Sequence, residues 1–266
     1  MEIQKWREIL SPYELAVDEL RIKFNYIIKQ NKAAGRYSPI EQVICRVKTV
    51  SSILDKAKRK GIDLENVEEK ITDIAGVRLI CQFVEDIDKV VNIIRDRPDM
   101  EVMEENDYVH HSKPSGYQSY HMVVRYEVTT IHGPKLVPVE IQIRTMAMNF
   151  WATIEHSLKY KYSGNVPEHI GERLLAAAQA VINLDKEMSM IREDIVMAQD
   201  LFFNKARIVS EIKNNIQNLY KFENRDAMLN IQNEFFDLYQ NGTLEELEEF
   251  NRQLDLVAAR QGVQEL

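Results

Sequence analysis

The sequence predicts an α+β fold: a mixed β-sheet flanked by helices, followed by an α-helical C-terminal region. Three observations predict it. Between residues 40 and 144, segments rich in β-branched residues alternate with segments of helical period. One of them, Val139-Glu140-Ile141-Gln142-Ile143-Arg144-Thr145, alternates strictly between apolar and polar side chains, as a half-buried strand does. From Glu172 onward there is almost no strand signal.

Residues 3–31 read as a helix, with Leu15, Ile22 and Tyr26 at helical spacing and Ala33-Ala34-Gly35 as its stop. Ile40 to Val47 reads as a strand after Pro39, and 49–60 as a helix ending at Gly61. Gly76–Phe83 is a strand and 86–96 a helix. Strands follow near 100–109, 118–129 and 136–144, the last two joined at His132-Gly133-Pro134. Residues 146–161 are helical again, and further helices fall near 171–201, 204–221, 225–239 and 243–260. Thr243 with Glu246 fits a capping box. The apolar stripes of these C-terminal helices suit a core or an oligomer interface better than a cofactor site.

A chain of 266 residues can bury a sizeable core in one or two domains. No apolar run has the length of a membrane span, and the N-terminus lacks a signal-peptide pattern, so a cytoplasmic location is the default expectation. Cys45 and Cys81 have no partners at metal-ligand spacing and read as core residues. The net charge of −8 argues against general nucleic-acid binding. Yet Arg46, Lys48, Lys56, Lys58, Arg59 and Lys60 face only Asp55 within residues 46–60. A basic patch on an acidic protein suits a small polyanion.

Chemistry-bearing residues cluster in four segments. Lys48, Ser52, Lys56 and Arg59 share one helical face if the helix starts by about residue 48. The plain reading is a solvated stripe; the functional one is a polyphosphate cradle. Asp73 precedes the strand that carries Arg78, either as a turn residue or as a magnesium ligand. Lys113-Pro114-Ser115-Gly116-Tyr117-Gln118-Ser119-Tyr120-His121 combines a glycine turn with a phosphate-binding Lys, a His and a ring that can stack on a base or pack in a core. On the alternating strand, Glu140, Gln142 and Arg144 share one face, with Glu140 as a second carboxylate. His110, His111 and His121 lack the partners of a zinc site. Neither Gly-x-x-x-x-Gly-Lys-Ser/Thr nor Gly-x-Gly-x-x-Gly is present.

Together the four segments resemble the synthetase domain of the RelA/SpoT family, in the form of a small alarmone synthetase. The matching motifs are Arg46-x-Lys48 with Ser52, Lys56 and Arg59; Asp73-Ile-Ala-Gly-x-Arg78; Lys113-x-x-Gly116-Tyr117-Gln118-Ser119-x-His121; and Glu140-x-Gln142-x-Arg144-Thr145. The resemblance implies a nucleotidyltransferase-like fold over residues 1–165, with residues 166–266 as a helical oligomerisation region. It implies transfer of the β,γ-pyrophosphate of ATP to the ribose 3′-hydroxyl of GDP or GTP, releasing AMP. By motif position, Asp73 and Glu140 bind Mg2+, and Glu140 is also the general base. Lys48, Ser52, Lys56 and Arg59 hold the ATP phosphates, and Arg46 and Arg78 sandwich adenine. Tyr117 stacks on guanine, and Lys113 and His121 contact phosphates. Gln142, Arg144 and Asn149 support the guanosine nucleotide.

Long members of the family carry a His-Asp hydrolase domain before the synthetase domain. About 40 residues precede the first motif here, and no His-Asp pair occurs. The expectation is therefore synthesis without hydrolysis. Small synthetases resemble homotetramers built through their terminal helices, and regulation by alarmone or RNA is left open. Two other readings compete: a regulatory nucleotide-binding module without turnover, and a nucleotidyltransferase acting on RNA ends. Intact Asp73 and Glu140 speak against the first. The second normally shows Gly-Ser before its acids, and here Asp86-Ile87-Asp88 sits at a helix start.

Overall fold

Alternating burial builds the sheet that carries the site. The computed structural model describes residues 2–161, 167–220 and 225–260. The chain divides into two compact units, Met1–Ser189 and Met190–Leu266.

The first unit is built on a five-stranded sheet of order β1-β2-β5-β4-β3, comprising β1 (Gln42–Val47), β2 (Ala75–Cys81), β3 (Met100–Asp107), β4 (Tyr120–Thr130) and β5 (Gly133–Thr145). Only the β2–β5 pair is parallel, so the sheet is mixed as expected. Along β5, Val139, Ile141 and Ile143 are fully buried while Glu140 and Gln142 between them are half-buried. The apolar face packs with α1 (Glu2–Ala33) and α4 (Val84–Arg95) into one core. Removing one of its side chains, for example Ile141→Ala, costs about 2–5 kcal/mol. The polar face is left for chemistry.

Helix α1 buries Tyr13, the adjacent Ala16 and Val17, Leu20, Phe24 and Ile28, otherwise at spacings of three and four. The stripe read from the sequence is a different one. Leu15 is half-buried, whereas Ile22 and Tyr26 are 70% and 58% exposed. The helix carries two apolar stripes, and periodicity alone does not say which meets the sheet.

Helix α2 runs Val50–Lys60, capped by Thr49 and closed by Gly61 at φ +64°. Lys48 therefore lies just before the helix and not on its face, which corrects the stripe reading. A 3₁₀ turn (Leu64–Asn66) and the short α3 (Val67–Lys70) were not expected from the sequence. Helix α5 (Met146–Lys161) follows β5 directly.

The expected helices at 171–201 and 204–221 are one continuous helix, α6 (Glu168–Leu219). Phe202-Phe203-Asn204 contains neither Gly nor Pro, so nothing stops the helix there. Its second part joins α7 (Arg225–Asn241) and α8 (Leu244–Arg260) in the second unit, around Ile212, Ile216, Leu219, Met228, Leu247, Phe250 and Leu254. At the start of α8, the Thr243 backbone N–H donates to Glu246 Oε2 at 2.8 Å and the Glu246 N–H to Thr243 Oγ1 at 3.2 Å. That is the capping box predicted. The residue 165/166 boundary lies outside the described residues.

Candidate active site

Strand register sets the polar face in rows. Arg46, Gly76, Glu140 and Val123 lie side by side across β1, β2, β5 and β4. The next row is Ile44, Arg78, Gln142 and His121. Gly76 has no side chain, and the Arg46 side chain lies over it, with Cγ 3.7 Å and Nε 3.9 Å from where a Cβ would sit. Asp73 enters from the turn before β2, and a cleft is lined by Arg46, Asp73, Arg78, Glu140 and Gln142. A larger cavity of about 1330 Å³, between the start of α1 and the β4–β5 turn, holds none of these groups.

Asp73 Oδ2 accepts from Lys48 Nζ at 2.6 Å and pairs with Lys56 Nζ at 2.7 Å. The cradle thus forms although Lys48 is not helical, because its backbone N–H is tied to Ile74 O at 2.8 Å. Burial pushes the Asp73 carboxyl up, but the two ammonium groups outweigh it and hold its pKa below the usual carboxylate value. Asp73 Oδ1 is buried and has no hydrogen-bond partner among the described residues. Ser52 and Arg59 are exposed; Ser52 Oγ lies 2.9 Å from the Thr49 hydroxyl, and Arg59 has no ion pair among the described residues.

Glu140 sits at one end of a chain of hydrogen bonds that returns to it through an ion-pair contact. Gln142 Nε2 donates to Glu140 Oε2 at 2.8 Å, and Arg144 Nη2 donates to Gln142 Oε1 at 2.8 Å. The same Arg144 nitrogen donates to the Tyr117 hydroxyl, whose oxygen lies 2.8 Å from His121 Nε2. His121 Nδ1 lies 3.4 Å from Glu140 Oε1. Because Arg144 donates to the Tyr117 oxygen, the Tyr117 proton is available to His121 Nε2. Burial pushes the Glu140 pKa up, but His121 and then Gln142 bring it below the usual value. The group is an ionised acceptor at neutral pH.

Arg78 Nη1 donates to Asn149 Oδ1 at 3.0 Å, whereas its buried Nε has no hydrogen-bond partner among the described residues. Burial, then the Arg144 and Arg46 charges, lower the Arg78 pKa to about 10. Three guanidinium groups that repel one another make a site for an anion or a flat π-system. Asn149, expected beside the guanosine nucleotide, is thus placed on Arg78.

The Lys113–Tyr117 segment closes on itself, with Gly116 N–H donating to Lys113 O at 2.8 Å and Lys113 N–H to Tyr117 O at 3.1 Å. Lys113 Nζ is 4.2 Å from the Tyr108 ring centre and 5.1 Å from that of Tyr117. Tyr108 meets His121 edge-on, 5.4 Å between centroids.

Residues 45–165 match the family described as "Region found in RelA / SpoT proteins". Over 207 residues, 78% of this chain and 98% of the relative, the sequence is 50% identical to the GTP pyrophosphokinase YjbM of Bacillus subtilis. The chain belongs to the RelA/SpoT family. Its fold is that of solved small alarmone synthetases. The small alarmone synthetase 1 of Bacillus subtilis bound to its product pppGpp superposes with a TM-score of 0.70 at 51% identity, covering 72% of this chain and 98% of that one. A GTP pyrophosphokinase family protein from Streptococcus pneumoniae gives 0.70 at 51%, covering 74% and 97%.

All the RelA/SpoT motif residues from Arg46 to Asn149 fall within the matched region. A divalent ion fits the cleft chemically. Asp73 lines it and has a buried oxygen without a hydrogen-bond partner among the described residues, Glu140 is the second carboxylate, and magnesium takes one or two carboxylates with phosphates and water. Among the described residues no group of three or more His, Cys, Asp or Glu could hold a metal. His110 instead pairs with Asp107 at 2.7 Å. Asp86 lies in the first turn of α4, buried and engaged by Tyr37 and Lys89, away from the cleft residues.

Sequence reasoning missed three contributors. Tyr108 follows β3 and gave only an isolated aromatic as a signal. Ser119, within the glycine-turn motif, is fully buried and accepts from Arg144 Nε at 3.1 Å. Asp185 lies on α6, with no motif around it, and accepts from the Thr145 hydroxyl at 2.7 Å.

Proposed function

We propose that this RelA/SpoT protein makes ppGpp and pppGpp by Mg2+-dependent transfer of pyrophosphate from ATP to GDP or GTP. The observation that carries the reading is the convergence of Asp73 and Glu140 on one cleft with Arg46 and Arg78, flanked by Lys48 and Lys56. Relatives support it, one named GTP pyrophosphokinase and one with pppGpp bound.

In this reading the acceptor's 3′-oxygen forms a bond to the β-phosphorus of ATP. The bond from that phosphorus to the α,β-bridging oxygen breaks, and AMP leaves. Glu140 takes the 3′-hydroxyl proton, for which its depressed pKa keeps it ionised. Asp73 and Glu140 would hold Mg2+, which would supply neutralisation of phosphate charge. Lys48 and Lys56 exchange Asp73 for phosphate oxygens, and Ser52 and Arg59 extend this line of donors. Arg46 and Arg78 clamp adenine, with Asn149 steadying Arg78. Tyr117 stacks on guanine, its ring now covered by the Lys113 and Arg144 cations, and Lys113 and His121 move to phosphates. Gln142 and Arg144 keep Glu140 and Tyr117 in place. Most of the rate enhancement is alignment and charge neutralisation.

The reading includes a cytoplasmic protein; among the described residues no helix is long and apolar enough to cross a membrane. It also includes residues 1–165 as the synthetase domain and a homotetramer built through residues 166–266. Met197, Phe202 and Phe203 on α6, all more than 60% exposed, support such an interface. Incubation with ATP and Mg2+ plus GDP, GTP or GMP tests the activity and ranks the acceptors. Formation of AMP only when a guanosine nucleotide is present is the expected result, and AMP formation independent of acceptor contradicts it.

A further inference from the structure

One face of α6, outside the region matched to the family, touches the supports of both proposed nucleotide subsites. Leu174, Ala178, Val181 and Asp185 are spaced four, three and four apart and lie on one side of the helix. Leu174 O accepts from Trp151 Nε1 at 3.1 Å, and Ala178 is buried in a cluster with Trp151 and Ala152 against which Tyr117 and Val181 pack.

The acceptor side is held through Gly116. That residue has φ +82°, and a Cβ placed on it would lie 2.4 Å from Ala178 Cβ and 3.2 Å from Leu175 Cδ1. The glycine is thus required by contact with α6 as well as by its turn. Ala178 sets how far the turn can sink, and with it the position of the next residue, Tyr117.

The donor side is held through Thr145. Its hydroxyl donates to Asp185 Oδ2 at 2.7 Å and accepts from the Met148 backbone N–H at 3.0 Å. Thr145 thereby caps α5, and one residue after Met148 is Asn149, which holds Arg78. Asp185 is 6% exposed and is oriented by this hydroxyl.

We infer that Ala178 and Asp185, two turns apart on one face of α6, are positioning residues, Ala178 for the guanine-stacking ring and Asp185 for the adenine clamp. The inference rests on the pyrophosphokinase reading for the identity of the two nucleotides.

The test measures KM and, by calorimetry, Kd for ATP and for GDP in Ala178→Val, Ala178→Gly, Asp185→Ala and Asp185→Asn. Ala178→Val is expected to raise the GDP values about tenfold and leave those for ATP within about twofold, since a misplacement of about 1 Å can cost up to 10²-fold. Asp185→Ala is expected to do the reverse, and Asp185→Asn, which keeps an oxygen for Thr145, to restore the ATP values. If Ala178→Val does not fold, Ala178→Gly carries the test with a smaller change in the same GDP values. A merely structural role predicts lower kcat with both KM values unchanged, and that result would overturn the inference. The Kd split is read even without turnover, so a wild-type protein that makes no AMP defeats the function without hiding the outcome for α6.

Discussion

His121 and Glu140 face each other across β4 and β5, with Nδ1 3.4 Å from Oε1, while the other imidazole nitrogen lies 2.8 Å from the Tyr117 hydroxyl. One histidine therefore lies against the proposed base and hydrogen-bonds the proposed guanine-stacking ring. Charge placed on either changes the hydrogen bonding of the other.

Glu140→Gln is expected to abolish turnover, by about 10²–10⁴-fold, while both nucleotides still bind. Unchanged turnover removes Glu140 as the base. His121→Ala takes away the contact that lowers the Glu140 pKa most. A carboxylate with a depressed pKa works down to a lower pH, so losing His121 moves the acid limb of the kcat profile upward. A limb that stays in place shows that Glu140 does not set it.

Asp73→Asn leaves the Lys48 and Lys56 ammonium groups facing each other without their carboxylate. The expected result is a fall in turnover of at least ~10²-fold with loss of Mg2+ dependence. A destabilisation of about 1–3 kcal/mol at pH 7 accompanies it. The folded-state pKa of Asp73 is depressed, so its stabilisation is present above the unfolded value and fades as pH falls through the folded one. Urea melts at pH 7 and pH 3 should show the gap between wild type and variant closing in acid.

Tyr117→Ala should weaken GDP use more than ATP binding, whereas Tyr117→Phe keeps a ring to stack and loses only the bonds to Arg144 and His121. Stacking on a base is worth about 1–3 kcal/mol, or roughly 5- to 150-fold in the GDP KM of the alanine variant. Equal losses for both nucleotides in Tyr117→Ala would undo the stacking assignment.

Asp185 is buried, and burial first, then the Glu85 charge, lift its pKa to about 6 despite the Thr145 hydrogen bond. With the folded value above the unfolded one, the carboxylic acid is at no disadvantage below about pH 4, and stability is lost as pH rises through about 6. Asp185→Asn has no such titration. Its stability relative to wild type should increase between pH 4 and pH 7. Parallel stability profiles place Asp185 in contact with water instead.

The sheet was legible because its strands report their faces directly. The Val139–Thr145 alternation placed Glu140 and Gln142 on the open side and three apolar residues in the core, and the register then brought Arg46, Arg78 and His121 beside them. Motifs identified side chains but not their partners. The resemblance put Asn149 among the supports of the guanosine nucleotide, and its bond to Arg78, 71 positions away, was not legible in the motif. Ile22 and Tyr26 fit a helical period and still lie outside the core, since a helix with two apolar stripes leaves the choice to the surface it meets. Gly116 was read as a turn glycine and has φ +82°, but its packing against Ala178, on a helix with no motif, was not legible. Long-range packing of this kind leaves no local pattern in a single sequence.

The central claim is that pyrophosphate moves intact from ATP to a guanosine nucleotide. The most direct test supplies ATP labelled in its β-phosphate, with GDP and Mg2+, and resolves the nucleotides by anion exchange. The account predicts label in a more highly phosphorylated guanosine nucleotide and an equal amount of unlabelled AMP. Both nucleotides binding with no label transferred and no AMP formed would contradict it.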